Sequence, residues 1–176
     1  MGFNNISQDT IFYPTDVISA LVTSIQTGDS PNNIPKFYSG HWLEIANNLQ
    51  VLSQYSVVGK KFPAILLILP TIKFKEVSFS PFNELSFDMY IIDESDRKYT
   101  SDERLSNVFK TSLYPIYNSF MAKMEVSNWF WNNKQEIEHD HEDLYYLGAE
   151  DTKQNKLNLI VDAIYLSFKN INVNKI

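Results

Sequence analysis

Phe62-Pro63-Ala64-Ile65-Leu66-Leu67-Ile68-Leu69-Pro70 is the stretch from which the rest of the chain can be read. Six consecutive apolar residues, Ala64 to Leu69, stand between two prolines. The run is too short to cross a bilayer and too uniformly apolar for a strand wet on one face, so it predicts a central strand buried on both sides. A buried helical segment is the competing reading, and the brevity of the run and its prolines weigh against it. Proline has no N–H to give to a ladder, so Pro63 and Pro70 are expected to mark where pairing starts and stops.

The 176 residues suffice for one domain with a sizeable core, and the sequence divides into a flexible N-terminal arm over 1–13 and a single α+β domain over 14–176. With 12 Phe, 10 Tyr and 3 Trp the aromatic load is high, and Tyr and Trp are favoured in interface cores, so assembly with another chain is expected. A net charge of −6 disfavours attraction to nucleic acid phosphates or an anionic membrane. The absence of cysteine excludes disulfides, thiolate metal sites and a cysteine nucleophile. Met1 to Ser7 has neither the basic nor the apolar region of a secretory signal, so none is expected.

Around the apolar stretch the other elements fall into place. Val17, Ile18, Leu21, Val22 and Ile25 recur at helical spacing and predict a helix over 16–26 with Thr15 as its N-cap. Turn formers from Gly28 to Pro35 lead into a short extended piece at Lys36-Phe37-Tyr38, and Trp42, Ile45, Ala46, Leu49 and Leu52 predict a second helix. Thr71 to Pro81 reads as an edge strand or a long arm. Leu85, Phe87, Met89 and Ile91 alternate with Ser86, Asp88 and Tyr90, the period of a strand. Thr100-Ser101-Asp102-Glu103 is a capping box that opens the longest helix, with Leu105, Val108, Phe109, Leu113, Ile116, Tyr117, Phe120 and Met124 on its apolar face and a kink expected before Pro115. Two strands close the chain, one within Ile137 to Leu147 and one over Leu157 to Phe168. The fold class is therefore α+β, with a mixed, largely antiparallel sheet packed by two or three helices.

One cluster has the composition of a site. In Glu136-Ile137-Glu138-His139-Asp140-His141-Glu142-Asp143, His139 and His141 project from the same side of a strand, and carboxylates beside them could complete an N/O set for zinc or another divalent ion. The plainer reading is a solvated acidic segment. A metal-dependent hydrolase built on His139 and His141 is accordingly an alternative, not the leading function, and no metal, cofactor or catalytic residue is assigned. Asp88 with Asp162 could form the carboxylate pair of a hydrolase, but each reads better as facing solvent or a neighbouring subunit. His41 lacks a nucleophile elbow and reads as a helix-starting histidine, and no phosphate-binding glycine motif is present. The aromatic residues Phe74, Phe79, Trp129, Trp131 and Tyr145 are the interface candidates.

The order of elements resembles the tail terminator and related neck proteins of tailed bacteriophages, which join head to tail. Three stretches carry the likeness: Phe62-Pro63-Ala64 leading into the apolar strand; Thr100-Ser101-Asp102-Glu103-Arg104-Leu105 followed by Leu113-Tyr114-Pro115-Ile116-Tyr117; and Val161-Asp162-Ala163-Ile164-Tyr165-Leu166 preceded by Tyr145-Tyr146-Leu147-Gly148. The resemblance spans about residues 14 to 170, while the Asn-rich arm, the segment 28–61 and the His-rich stretch lie outside the family pattern. It implies a non-enzymatic virion subunit, made in the host cytoplasm, that forms a homo-oligomeric ring of six or twelve copies and docks portal, neck or tail proteins. DNA would pass through the lumen without sequence-specific binding, and an acidic lumen would let it slide. The remaining alternative is a monomeric protein-binding adaptor.

Overall fold

The computed structural model describes residues 14–25, 35–54, 62–73, 82–127, 129–130, 137–147 and 160–174. The expected N-terminal arm, and the interface candidates Phe74, Phe79 and Trp131, lie outside the described residues. The elements in chain order are α1 (Pro14–Thr23), β1 (Lys36–Gly40), α2 (Trp42–Gln54), β2 (Ala64–Lys73), β3 (Phe82–Glu94), α3 (Ser101–Arg104), a π-helical segment (Leu105–Leu113), α4 (Tyr114–Glu125), β4 (His139–Leu147) and β5 (Val161–Asn174). The strands form one mixed sheet in the order β1-β2-β3-β5-β4. Only β1 and β2 run parallel; the other three pairings are antiparallel. The α+β class expected from the sequence is what the chain adopts.

The apolar stretch becomes β2, and over Ala64–Leu67 both its faces are covered, whereas Leu69, expected to be buried with them, is 59% exposed. Ile65 and Leu67 point into a core shared with α1, the π segment and α4, whereas Ala64 and Leu66 point into a second core under α2. Each such Leu or Ile removed from water is worth about 1.5–3 kcal/mol, so two-sided burial explains why no polar residue interrupts the run. The middle strand of the sheet is nevertheless β3, with β2 beside it.

The prolines act differently from each other. Lys36 N–H donates to the Pro63 carbonyl at 3.0 Å, just before the β1–β2 ladder begins, as expected of a start point. Pro70 does not end pairing. The β2–β3 register passes from Ile68 opposite Asp88 to Thr71 opposite Ser86, so three steps along β2 match two along β3. A bulge at Leu69-Pro70 thus takes the missing N–H out of the ladder and lets the strand continue to Lys73. A second bulge faces it across the sheet, where Leu85 pairs with Ile171 but Phe87 with Phe168. There Asn170 adopts φ +56° and its N–H donates to the Ser86 hydroxyl at 3.0 Å. This bulge also explains why β5 runs beyond Phe168, the end expected from alternation, to Asn174.

α1 starts at Pro14, whose fixed φ suits the first turn, so Thr15 lies inside the helix and is not its cap. The capping box at Thr100 is present: Glu103 N–H donates to the Thr100 hydroxyl, and the Thr100 N–H donates back to the Glu103 carboxylate at 2.8 Å. These bonds hold the Glu103 carboxyl below its usual range. Ahead of Pro115, where a kink is expected, the chain winds as a nine-residue π stretch, Leu105–Leu113, closed by a Tyr114 N–H bond to the Phe109 carbonyl five residues back. The α-helical winding resumes at Tyr114–Pro115, where proline's missing N–H falls in a first turn that needs none. Among the described residues no helix is long and apolar enough to cross a membrane.

Gly40 closes β1 at φ +146°, and a Cβ there would stand 3.0 Å from a carboxylate oxygen of Glu44. The next residue, His41, starts α2: its carbonyl accepts from the N–H groups of Glu44 and Ile45, and its Nδ1 accepts from that of Leu43. Replacing Gly40 by Ala is therefore expected to cost about 1–2 kcal/mol of stability in urea unfolding, through backbone strain at the β1–α2 corner.

Candidate functional site

The His-rich segment lies on β4, an edge strand, and its side chains sort by strand parity. His139, His141 and Asp143 pair with Phe168, Leu166 and Ile164 of β5, residues of the core under the long helix, so they share that face. Two tyrosines one helical turn apart come down to meet them. The Tyr117 hydroxyl lies 2.9 Å from His139 Nε2, and the Tyr114 hydroxyl donates to Asp143 Oδ2 at 2.6 Å. The other oxygen of Asp143 is 3.0 Å from His141 Nε2. His139 Nδ1 lies 2.9 Å from the Ile137 carbonyl, which can only accept, so a neutral His139 carries its proton on Nδ1 and accepts the Tyr117 hydroxyl at Nε2.

This arrangement is a hydrogen-bonded seam between helix and edge strand. Both nitrogens of His139 are engaged within the protein, and its ring stacks on Phe168 at 5.0 Å. Among the described residues no group of three or more His, Asp or Glu side chains converges as a metal site would require. The Asp143 bond is the main reason that the Tyr114 hydroxyl is pushed up to about 12. Burial raises Tyr117 as well. The opposite face of β4 is exposed and acidic: Asp140 pairs with Lys169 at 2.7 Å, and Glu142 faces solvent. Tyr117 was legible only as a member of the broad helical face and Tyr114 was not singled out at all; nothing in the spacing of the histidines points to either.

A second polar group is buried at the other end of the long helix. Arg104 and Asp162 meet at 2.7 Å with side chains 2% and 0% exposed. The same guanidinium nitrogen donates to the Ser95 hydroxyl at 2.7 Å and the other to the Asp96 carbonyl at 2.6 Å, while Ser95 donates to the second oxygen of Asp162 at 2.6 Å. Asp93 stands opposite Asp162 in the β3–β5 register. Burial pushes its carboxyl above the usual range, against lowering hydrogen bonds from Ser112 and the Glu94 N–H and with a further rise from the Asp162 charge. The sequence carries a signal for this group: Asp162 is a lone carboxylate in an apolar strand, in step with Ile164 and Leu166, and so demands a cation.

The carboxylate pair suggested for Asp88 and Asp162 does not form. Asp88 pairs with Ser167 and Asp162 with Asp93, five positions along β3 and on opposite faces, which separates them by about 16 Å along the strand. Asp88 instead accepts from the Tyr165 hydroxyl at 3.0 Å. Of the interface candidates, Trp129 is half-buried and packs on the main core, so its removal would disturb the monomer as well as any contact. Tyr145 is 46% exposed, with its ring set edge-on to Phe109 at 5.3 Å. Leu69 at the β2 bulge and Val126 at the end of α4, at 59% and 72% exposure, are apolar surface positions that periodicity did not single out.

Asp162→Ala leaves the Arg104 charge buried without its carboxylate and is expected to cost about 3–5 kcal/mol in urea unfolding, whereas the double change Arg104→Met, Asp162→Leu should recover most of that loss. For Asp93 the sign runs the other way. A carboxyl raised in the folded state contributes stability that is present below the ordinary carboxylate range and lost as pH rises through the folded pKa. Asp93→Asn should therefore raise the thermal midpoint at pH 7, by about 2–4 °C, and the gain should vanish in melts below about pH 4.

Comparison with protein-family models and with curated protein sequences finds no match to this chain.

Proposed function

We propose that the chain is a structural subunit of the head-to-tail junction of a tailed bacteriophage, a tail terminator or neck protein that acts by assembling into a ring around the DNA channel. The observation that carries the reading is the sheet's two outer strands. Among the described residues β1 pairs only with β2 and β4 only with β5, so each end of the sheet presents a backbone edge able to accept another strand. The order of elements supports it too: the Phe62-Pro63-Ala64 strand, the capped helix from Thr100 through Pro115 and the closing Val161 strand occur in the succession that the resemblance rests on. The chemistry supports it by its disposition, since both polar clusters spend their groups on one another and brace helix against sheet.

In this reading the subunit is made in the host cytoplasm and works in the virion. Portal, neck or tail proteins are its neighbours, and its acidic surface lets DNA pass without being held. Tyr145 is the described aromatic position best placed for a subunit contact, being on the edge strand and half in water.

Light scattering coupled to size exclusion over a concentration series is expected to give a discrete multimer of six or twelve copies. Tyr145→Ala should raise the concentration needed for half-assembly about tenfold, the effect of losing roughly 1.4 kcal/mol of contact, in a monomer that still folds but unfolds at a somewhat lower midpoint because the Tyr145 side chain also packs on Phe109. A monomer at every concentration would count against the ring and favour the adaptor reading.

A further inference from the structure

We infer that copies of this chain join head to tail by sheet extension, β1 of one copy adding antiparallel to β4 of the next; the inference rests on the ring reading above and specifies its contact. The directions of the strands make this possible. β1 and β2 run one way, β3 the opposite way, β5 with β2, and β4 opposite again. A neighbour placed in the same orientation beside β4 brings its β1 alongside with antiparallel sense.

The two edges also stand at the same height. Following the register across the sheet, Tyr38 lies in one row with Leu66, Tyr90, Tyr165 and Glu142, and Ser39 in one row with Leu67, Met89, Leu166 and His141. Lys36 shares its row with Leu144, and Gly40 shares its row with Asp140. The whole of β1 thus corresponds to residues 140–144 of β4, and both bulged registers of β3 lie outside this block. A neighbour need not slide along the strand axis to pair all of β1.

Charge selects this pairing over the symmetric one. Two copies meeting β4 to β4 about His141 would set Asp140 of each against Glu142 of the other on one face, and like charges facing each other across strands are destabilising. β1 carries no acidic residue, and its one charge, the exposed Lys36, is on the same sheet face as exposed Glu142 and Asp140. In the unshifted register Lys36 is the diagonal neighbour of Glu142, within reach of a long side chain. A contact that joins two different edges leaves one of each free on every growing chain, and closes only as a ring.

The cysteine-free sequence allows a direct test. Ser39 and His141 are both exposed, share a row and face the same side, so Ser39→Cys with His141→Cys places two thiols within disulfide range only across the proposed contact. Under mild oxidation at assembling concentrations the double variant is expected to give a reducible ladder of dimers, trimers and larger species, with neither single variant going beyond a trace of dimer. Circular dichroism and the mass of the reduced variants check that each is folded and assembles as the parent does. A multimer by light scattering with no ladder in the double variant would overturn edge pairing while leaving the ring standing. Efficient dimer formation by His141→Cys alone would overturn it in favour of the symmetric β4 contact. A monomer with no cross-link would overturn both this inference and the ring.

Discussion

The placement of the long helix depends on the buried pair of Arg104 and Asp162. Arg104 is the last residue of α3, directly after the capping box, and Asp162 is the second residue of β5, so their 2.7 Å contact ties the helix start to the strand. Taking both charges out of water is costly, and the cost is partly offset by the hydrogen bonds that Ser95 and the Asp96 carbonyl make to the same two side chains. The turn from β3 into the helix, residues 95–100, is held by the same atoms. A single polar knot thus sets where the helix begins, how the turn lies and which end of β5 is anchored.

From that anchor the helix runs over the sheet to its edge strand. Val108, Phe109, Leu113, Ile116, Phe120 and Met124 bury in the core that β3 and β5 line, at the three- and four-residue spacing of a helix face. Past the apolar face, Tyr114 and Tyr117 reach β4 and bond Asp143 and His139. The histidines that look like a site in the sequence are, in the fold, the fastening of an edge strand under a helix. That fastening occupies one face of β4, while Asp140 and Glu142 are exposed on the other.

The same geometry bears on assembly. A sheet with a short, acid-free strand at one end and a longer, acidic strand at the other is polar across its width, and the matched height of the two edges makes that polarity usable. The paired bulges at Leu69-Pro70 and at Asn170 fall outside the matched rows, so the block of strand facing both edges is regular where a neighbour would add.

What the sequence determined by itself was set by local patterning. The two-sided burial of Ala64 to Leu67, the alternation of Leu85 to Ile91, the capping box at Thr100 and the apolar face of the long helix each follow from the period of the residues and from which backbone groups need partners. What only the tertiary structure decided depends on contacts between residues far apart in the chain. Pro70 is absorbed because β2 bulges there against β3, Asp162 is satisfied by an arginine 58 positions earlier, and His139 finds a tyrosine 22 positions earlier where the sequence offered only its acidic neighbours. Period specifies which side of an element faces inward. Only the packing of elements specifies which group it meets there.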